Sequence, residues 1–290
     1  MVIYQDRLQT ALSLIRRFLQ SETDQWFWYT NSTFDRFSDD IERTLMYSDT
    51  EIDEGLKERY TRMLGRLRPI TSDLRILLTM LHQAIWQKET VIKGHLNTEY
   101  NMYYGTALAD AFITKYRSSY DTIAKALIEI ISDRGRPPRH SFTELRKICN
   151  EDKGIEKLGQ DLAHLIQSCD WYDPLVYARD KIVHENLQVM GFLYPRILFQ
   201  IYAKDENNKN NLPVGLVNIP EVMINKNLVN FELYAAVHIG YSFSLLEGFA
   251  NLGYNILQVP RHADSEHTKV GYAGLDVLKD SIEKVLADQI

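Results

Sequence analysis

The feature that most constrains the fold is a helical pattern over residues 99–132, a run of 34 residues without proline. At 1.5 Å per residue such a helix would be roughly 50 Å long. It must end before Gly135 and Pro137–Pro138, because proline cannot continue a helix. The positions expected to face a core are Leu108, Phe112, Tyr116, Ile123, Leu127 and Ile130. A helix of this length buries its apolar face best against other long helices, which predicts a helical bundle of antiparallel neighbours.

Further helical patterns cover most of the remaining chain. Ser72 and Asp73 are expected to cap one helix start, and Gly94 follows the end of that helix. Pro260 is expected to end another helix. The predicted segments are 3–20, 23–48 with aromatic residues at its start, 51–67, 72–92, 154–168, 226–257 and 275–289.

Two helices carry explicit start signals. Ser141 and Glu144 have the spacing of a capping box, which predicts a short helix to about Ile148. Asp173 is a good N-cap, and Pro174 suits the first helical position. Gly191 is a good terminator, so the second helix is expected over about 174–190.

The period of the apolar residues changes after this helix. Residues 196–204 are rich in β-branched and aromatic side chains, the polar run DENNKNN follows, and 212–219 can return as a second strand. A small β-hairpin is therefore expected. The predicted fold class is mainly α, an antiparallel helical bundle with extra N-terminal helices and this one hairpin.

Composition excludes several classes of function. The net charge of −6 argues against a broad basic surface that coats nucleic acid, although a small site with local cations remains possible. Cys149 and Cys169 have no CxxC spacing and no histidine cluster, which argues against zinc and suits a reducing compartment. No phosphate-binding loop or dinucleotide fingerprint is present, so no cofactor is expected. The amphipathic N-terminus and the lack of a long apolar run predict a soluble cytoplasmic protein without a membrane segment.

The segment YARDKIVHEN, 177–186, places three functional side chains on the well-marked helix. On a helical wheel at about 100° per residue, Arg179 lies in the middle of the apolar stripe. Asp180 and His184 lie on the edge of the stripe, one turn apart, where they can form a hydrogen bond. A guanidinium in such a place must meet a carboxylate, a phosphate or a wet crevice. Asp180 favours a charged imidazole and Arg179 disfavours it, so His184 is a candidate for proton exchange.

An arginine beside a histidine suits phosphodiester cleavage by the 2′-hydroxyl of RNA itself. The histidine moves a proton, and the arginine holds the phosphate and its developing charge.

RDKIVH also matches the R-[polar]-x3-H signature of the HEPN superfamily. The order of the preceding helices resembles that superfamily as well, and the resemblance covers roughly 68–192. The resemblance implies a homodimer through the motif helices and a metal-independent RNase of toxin–antitoxin, phage-defence or RNA-processing type. It also implies that Arg179 and His184 are catalytic and that Asp180 orients them. One HEPN subgroup has a tyrosine two places after the histidine. Asn186 stands there in this chain, so regulation through that tyrosine is not expected.

With this resemblance the chain divides into four parts that are expected to form one compact unit. They are an N-terminal helical extension at 1–67, the bundle at 68–192, the hairpin at 193–222 and C-terminal helices at 223–290.

Several alternatives stay open at the level of sequence. Arg179 can simply pair with a carboxylate of a neighbouring helix, which would leave a binding module or an interaction scaffold. The basic cluster Arg134, Arg136 and Arg139, followed by His140, is a weak candidate for substrate phosphates and equally suits a solvated loop. The tyrosines of the long helix can stack on bases or fill the core. They are Tyr100, Tyr103, Tyr104, Tyr116 and Tyr120.

Overall fold

A computed structural model shows a mainly helical protein. The structure describes residues 33–47, 52–94, 98–131, 141–151, 154–184, 191–193, 197–200, 223–225 and 228–262. The helices predicted at 3–20 and 275–289 lie outside the described residues.

The described residues form eight helices, and four short strands lie between the seventh and the eighth. The helices are α1 (Thr33–Tyr47), α2 (Glu54–Ile92), α3 (Thr98–Ile131), α4 (Phe142–Cys149), α5 (Gly154–Leu158), α6 (Gln160–Gln167), α7 (Tyr172–His184) and α8 (Phe231–Leu257). The long helix expected at 99–132 is confirmed as α3. None of the helices in the described part of the chain combines the length and the apolar character that crossing a membrane requires.

Helix α2 corrects the sequence prediction, because 51–67 and 72–92 are parts of one helix of 39 residues. Asp53 caps its start by accepting a hydrogen bond from the backbone N–H of Gly55 at 3.0 Å. Pro69 lies inside the helix on its exposed side, where the carbonyl that loses its hydrogen bond can turn to water. The apolar stripe is buried on both sides of the proline, at Leu67 and Ile70, and this burial keeps the helix continuous. The domain boundary expected at residue 67 therefore falls inside a helix.

Asp73 is not a cap but a link between α2 and α3. Its carboxylate accepts hydrogen bonds from Lys115 Nζ at 2.5 Å and from Thr122 Oγ1 at 3.1 Å. Further along, Arg62 Nε donates to Glu129 Oε1 at 2.7 Å. Lower residue numbers on α2 thus meet higher numbers on α3, so the two helices run antiparallel, as the bundle prediction requires.

Local signals explain the short helices. Ser141 Oγ accepts a hydrogen bond from the backbone N–H of Glu144 at 3.2 Å, which confirms the predicted cap of α4. The helix predicted at 154–168 is split into α5 and α6 at Gly159, whose φ of 83° lies in the region that favours glycine.

Helix α8 is the central element of the core. It packs on α1, α2, α3 and α6, and its side chains join those of the other helices in one buried cluster. Tyr254 of α8 donates a hydrogen bond to the buried Asp40 of α1 at 2.7 Å. The helix begins at Phe231 rather than at the predicted residue 226, because the preceding residues form a strand.

The β-structure is a small antiparallel sheet rather than an isolated hairpin. Its strands are β1 (Gly191–Leu193), β2 (Ile197–Gln200), β3 (Met223–Asn225) and β4 (Leu228–Asn230), in the order β1-β2-β4-β3. The neighbours of β2 are β1, with Phe192 opposite Leu198, and β4, with Phe199 opposite Val229. The predicted pairing of 196–204 with 212–219 is therefore not confirmed, and 212–219 lies outside the described residues.

Candidate functional site

The helix that carries the RDKIVH segment is α7, and residues 185–190 of the predicted helix lie outside the described residues. It ends at His184 among the described residues, and the expected terminator Gly191 belongs to β1 instead. Asp173 lies in the first turn of the helix rather than before it. Its carboxylate accepts two hydrogen bonds from Arg146 of α4, at 3.1 Å from Nε and 2.7 Å from Nη2. This bidentate pair fixes the start of α7 against α4.

The buried face of α7 differs from the face that the wheel predicted. Tyr172, Leu175 and Ala178 are buried, whereas Val183, expected in the middle of the stripe, is 44% exposed. The side chain of Arg179 keeps 28% of its surface accessible. Arg179 therefore lies at the margin of the buried face, whereas Tyr172 at the start of α7 packs on Tyr120 of α3 and Phe142 of α4.

The three side chains singled out from the sequence lie together at the C-terminal end of α7. Arg179 Nη1 donates to Asp180 Oδ1 at 3.0 Å and lies 3.2 Å from His184 Nε2. The predicted hydrogen bond between Asp180 and His184 is not formed, since their closest atoms are 4.0 Å apart. The guanidinium lies between the two and connects them.

A guanidinium only donates hydrogen bonds, so in its contact with Arg179 the Nε2 atom of His184 is the acceptor. The side chains of Asp180 and His184 are 49% and 67% exposed, so both are in contact with solvent.

The surroundings of this cluster are cationic and partly apolar. Lys181 lies over the ring of Tyr177 with Nζ 5.4 Å from the centroid, and the exposed Val183 adjoins His184. Cations are favoured at the last turn of a helix, where the backbone carbonyls point outward. The same carbonyls disfavour an anion, so a phosphate at this cluster would depend on the guanidinium of Arg179, which also pairs with Asp180, and on the ammonium of Lys181.

The cluster is open to solvent and is not sealed against another helix. Within the described residues, the carboxylate that meets Arg179 is that of Asp180 on the same helix. An exposed ion pair of this kind contributes little to folding. The reading in which Arg179 is locked into a core by a neighbouring helix thus lacks support among the described contacts.

The other sequence candidates separate into three groups. Arg134, Arg136 and Arg139 lie outside the described residues, as does the side chain of Tyr100. Tyr116 and Tyr120 are fully buried, so they belong to the core and not to a base-stacking surface. Tyr103 and Tyr104 are 61% and 56% exposed.

Sequence reasoning missed a buried polar cluster around His238 of α8. The imidazole is fully buried, and neither ring nitrogen has a hydrogen-bond partner among the described residues. Its ring centroid lies 4.2 Å from that of Tyr234, 5.0 Å from Tyr116 and 5.9 Å from Tyr241. Burial lowers the pKa of His238 to about 3, so the ring is neutral at physiological pH. A histidine flanked at helical spacing by two tyrosines in an apolar helix was the available signal.

The described residues provide neither a reactive thiol nor a set of metal ligands. Burial raises the pKa of Cys149 to about 11, which keeps the thiol protonated and a poor nucleophile. Within the part of the chain that the structure describes, no group of three or more histidine, cysteine, aspartate or glutamate side chains could hold a metal ion.

No family model matches the chain, and the comparisons with curated proteins and with solved structures find no match either.

Proposed function

We propose that the chain is a HEPN-type endoribonuclease that cleaves RNA by transesterification without a metal ion. The observation that carries the proposal is the position of the Arg179 guanidinium, 3.0 Å from Asp180 Oδ1 and 3.2 Å from the acceptor nitrogen of His184. The three side chains are held on a helix, which is a rigid support for a catalytic site.

The proposed reaction needs a base and an anion-binding group. When Arg179 turns to the phosphate, its hydrogen bond to His184 Nε2 is released; Nε2 then takes the proton of the RNA 2′-hydroxyl, and the 2′-oxygen forms a bond to phosphorus. The bond from phosphorus to the 5′-oxygen breaks, which leaves a 2′,3′-cyclic phosphate on one fragment. Arg179 holds the non-bridging phosphate oxygens and stabilises the charge that grows on them. Asp180 positions Arg179 through their mutual hydrogen bond.

The leaving 5′-oxygen also needs a proton, and one neutral imidazole cannot supply both roles in a single step. A second copy of the chain, paired through α7, would bring a second His184 to the same phosphate. The exposed Val183 and the high exposure of His184 support an interface on this face of α7. A homodimer, a cytoplasmic location and an antitoxin or defence partner are parts of the same proposal.

A second candidate is a HEPN-like module that binds RNA, a nucleotide or a protein without cleaving. The open position of the cluster favours this candidate, since no described side chain shields the imidazole from water. Catalytic groups gain strength in water-excluded sites.

The decisive experiment is cleavage of single-stranded RNA by the purified protein in EDTA. We expect His184→Ala to lower the cleavage rate by about 10²–10⁴-fold, the usual contribution of a general base. The matched control is His164→Ala, which removes an exposed histidine on α6 and should leave cleavage unchanged. Arg179→Ala should also abolish cleavage, whereas Arg66→Ala, an exposed arginine on α2, should not.

The outcomes separate the candidates. Equal background cleavage by the wild type and by His184→Ala would refute the proposed endoribonuclease activity. RNA binding that weakens with Arg179→Ala, without turnover, would establish the binding module. If neither His184→Ala nor Arg179→Ala changes RNA binding or RNA cleavage, the chain is an interaction scaffold. Light scattering of the wild type and of Val183→Asp tests the dimer, which the substitution should dissociate because it places a charge in the interface.

A further inference from the structure

The His238 cage, which comprises His238, Tyr116, Tyr234 and Tyr241, joins three parts of the fold. Tyr234, His238 and Tyr241 belong to α8, and Tyr116 belongs to α3. The hydroxyl of Tyr116 donates to the backbone carbonyl of His238 at 2.5 Å, which ties the two helices at this level. Trp171, directly before α7, stacks on Tyr241 with centroids 4.4 Å apart and planes 15° from parallel.

Among the described side chains, the surroundings of His238 offer hydroxyl groups but no carboxylate that could serve as the counter-ion of a charged imidazole. Tyr116 of α3 contacts the ring, Tyr234 and Tyr241 flank it on α8, and the buried hydroxyl of Ser242 lies one turn further along α8. Burial raises the pKa of the hydroxyls of Tyr120 and Tyr234, so these groups stay neutral. Burial is also what lowers the pKa of His238, with no contribution from a charged side chain of the described helices. A cation formed there would be buried without a counter-ion among the described side chains, which is unfavourable.

We propose that His238 is a proton-sensitive lock on the packing of α8 against α3 and Trp171. The cage is closed while the imidazole is neutral, and it opens when the ring takes up a proton. Because Trp171 immediately precedes α7, opening the cage removes one of the contacts that hold the start of the helix that carries Arg179 and His184; the pair of Arg146 with Asp173 is another. The lock is independent of whether that cluster cleaves RNA.

The direction of the pH effect follows from the two states of the ring. In the unfolded chain an imidazole binds a proton below about pH 6.5, whereas in the fold it stays neutral down to about pH 3. Between these values the unfolded state binds more protons, so acid favours unfolding. From pH 7 to pH 5 this one group should raise the unfolding equilibrium constant by about 25-fold.

The test is urea unfolding at pH 7 and pH 5 of the wild type and of His238→Phe, a ring that fits an aromatic cage and does not titrate. We expect the unfolding constant of the wild type to rise about 25-fold more than that of His238→Phe. The control His164→Phe removes an exposed histidine and should behave like the wild type. An equal rise in wild type and His238→Phe overturns the lock.

A second measurement keeps the proposal testable if His238→Phe does not fold. The chain has eight histidines, whose imidazole C2–H signals can be followed by NMR in the folded wild type. One signal should keep its neutral position between pH 8 and pH 5.5. If all eight signals titrate in that range, the buried neutral imidazole is refuted.

Discussion

Removing the hydroxyl of Tyr120 should destabilise the protein, because this group is the middle of a buried hydrogen-bond chain. Trp171 Nε1 donates to the Tyr120 hydroxyl at 2.7 Å, and that hydroxyl lies 2.9 Å from the hydroxyl of Tyr116. The hydroxyl of Tyr116 donates its single proton to the backbone carbonyl of His238. Tyr120 must therefore donate to Tyr116, and the chain runs from Trp171 through Tyr120 and Tyr116 to His238.

The magnitude follows from what Tyr120→Phe leaves behind. The ring stays in place, so little packing is lost. The indole N–H of Trp171, whose side chain is 4% exposed, loses its acceptor and cannot reach bulk water easily. An unpaired buried donor costs about 1–3 kcal/mol. We expect Tyr120→Phe to lower the free energy of unfolding by that amount and to leave the denaturant slope unchanged.

Urea denaturation followed by far-UV circular dichroism measures this loss. The matched control is Tyr103→Phe, which removes a hydroxyl from a 61% exposed tyrosine on the same helix and should change stability by no more than about 0.5 kcal/mol. If Tyr120→Phe is as stable as this control, the hydrogen-bond chain does not hold Trp171, and the reasoning fails.

Three further substitutions test the packing of the bundle. Gly253→Ala would place a Cβ 2.4 Å from the ring of the buried Phe37. This overpacking should lower the free energy of unfolding by about 1–3 kcal/mol. The better helix propensity of alanine should offset at most about 1 kcal/mol of that loss. In Gly248→Ala the new Cβ would lie 2.5 Å from the end of the flexible Leu165 side chain, which can move away, so this variant should lose less stability than Gly253→Ala. Equal shifts of the thermal unfolding midpoint in the two variants would contradict this expectation. Asp73→Ala removes the partner of Lys115 between α2 and α3 and should cost about 1.5–3 kcal/mol in urea denaturation, whereas no loss would show that the ammonium finds water instead.

The elements that the sequence predicts well are those whose signals are local. Ser141 caps α4 through a bond to a backbone group three residues away. The long apolar stripe of α3 requires no knowledge of its partner. The proximity of Arg179, Asp180 and His184 follows from their spacing on one helix, since they lie within six consecutive residues; the contacts that form are one and five residues apart, whereas the predicted pair four residues apart does not form.

The predictions that failed depend on contacts between distant residues. Asp73 has the chemistry of a cap, but Lys115 and Thr122 on α3 engage its carboxylate in the middle of a helix. The strand β2 pairs with β4, whose residues lie about 30 positions later, and pairing over such a separation leaves no local pattern. The wheel placed Leu175 and Val183 in one apolar stripe, although only Leu175 is covered, and the tertiary contact of α7 with α3 and α4 decides this.

By itself the sequence determined the helical class, the antiparallel pairing implied by a short connection, and three charged or titratable side chains on one helix. These properties follow from backbone periodicity and covalent spacing, which act within a few turns. Only the tertiary structure decided that Arg179 lies at an exposed margin, that Asp73 joins two helices, and that His238 is enclosed by tyrosines. Each depends on which surface is removed from water, and that is a property of the whole packed chain.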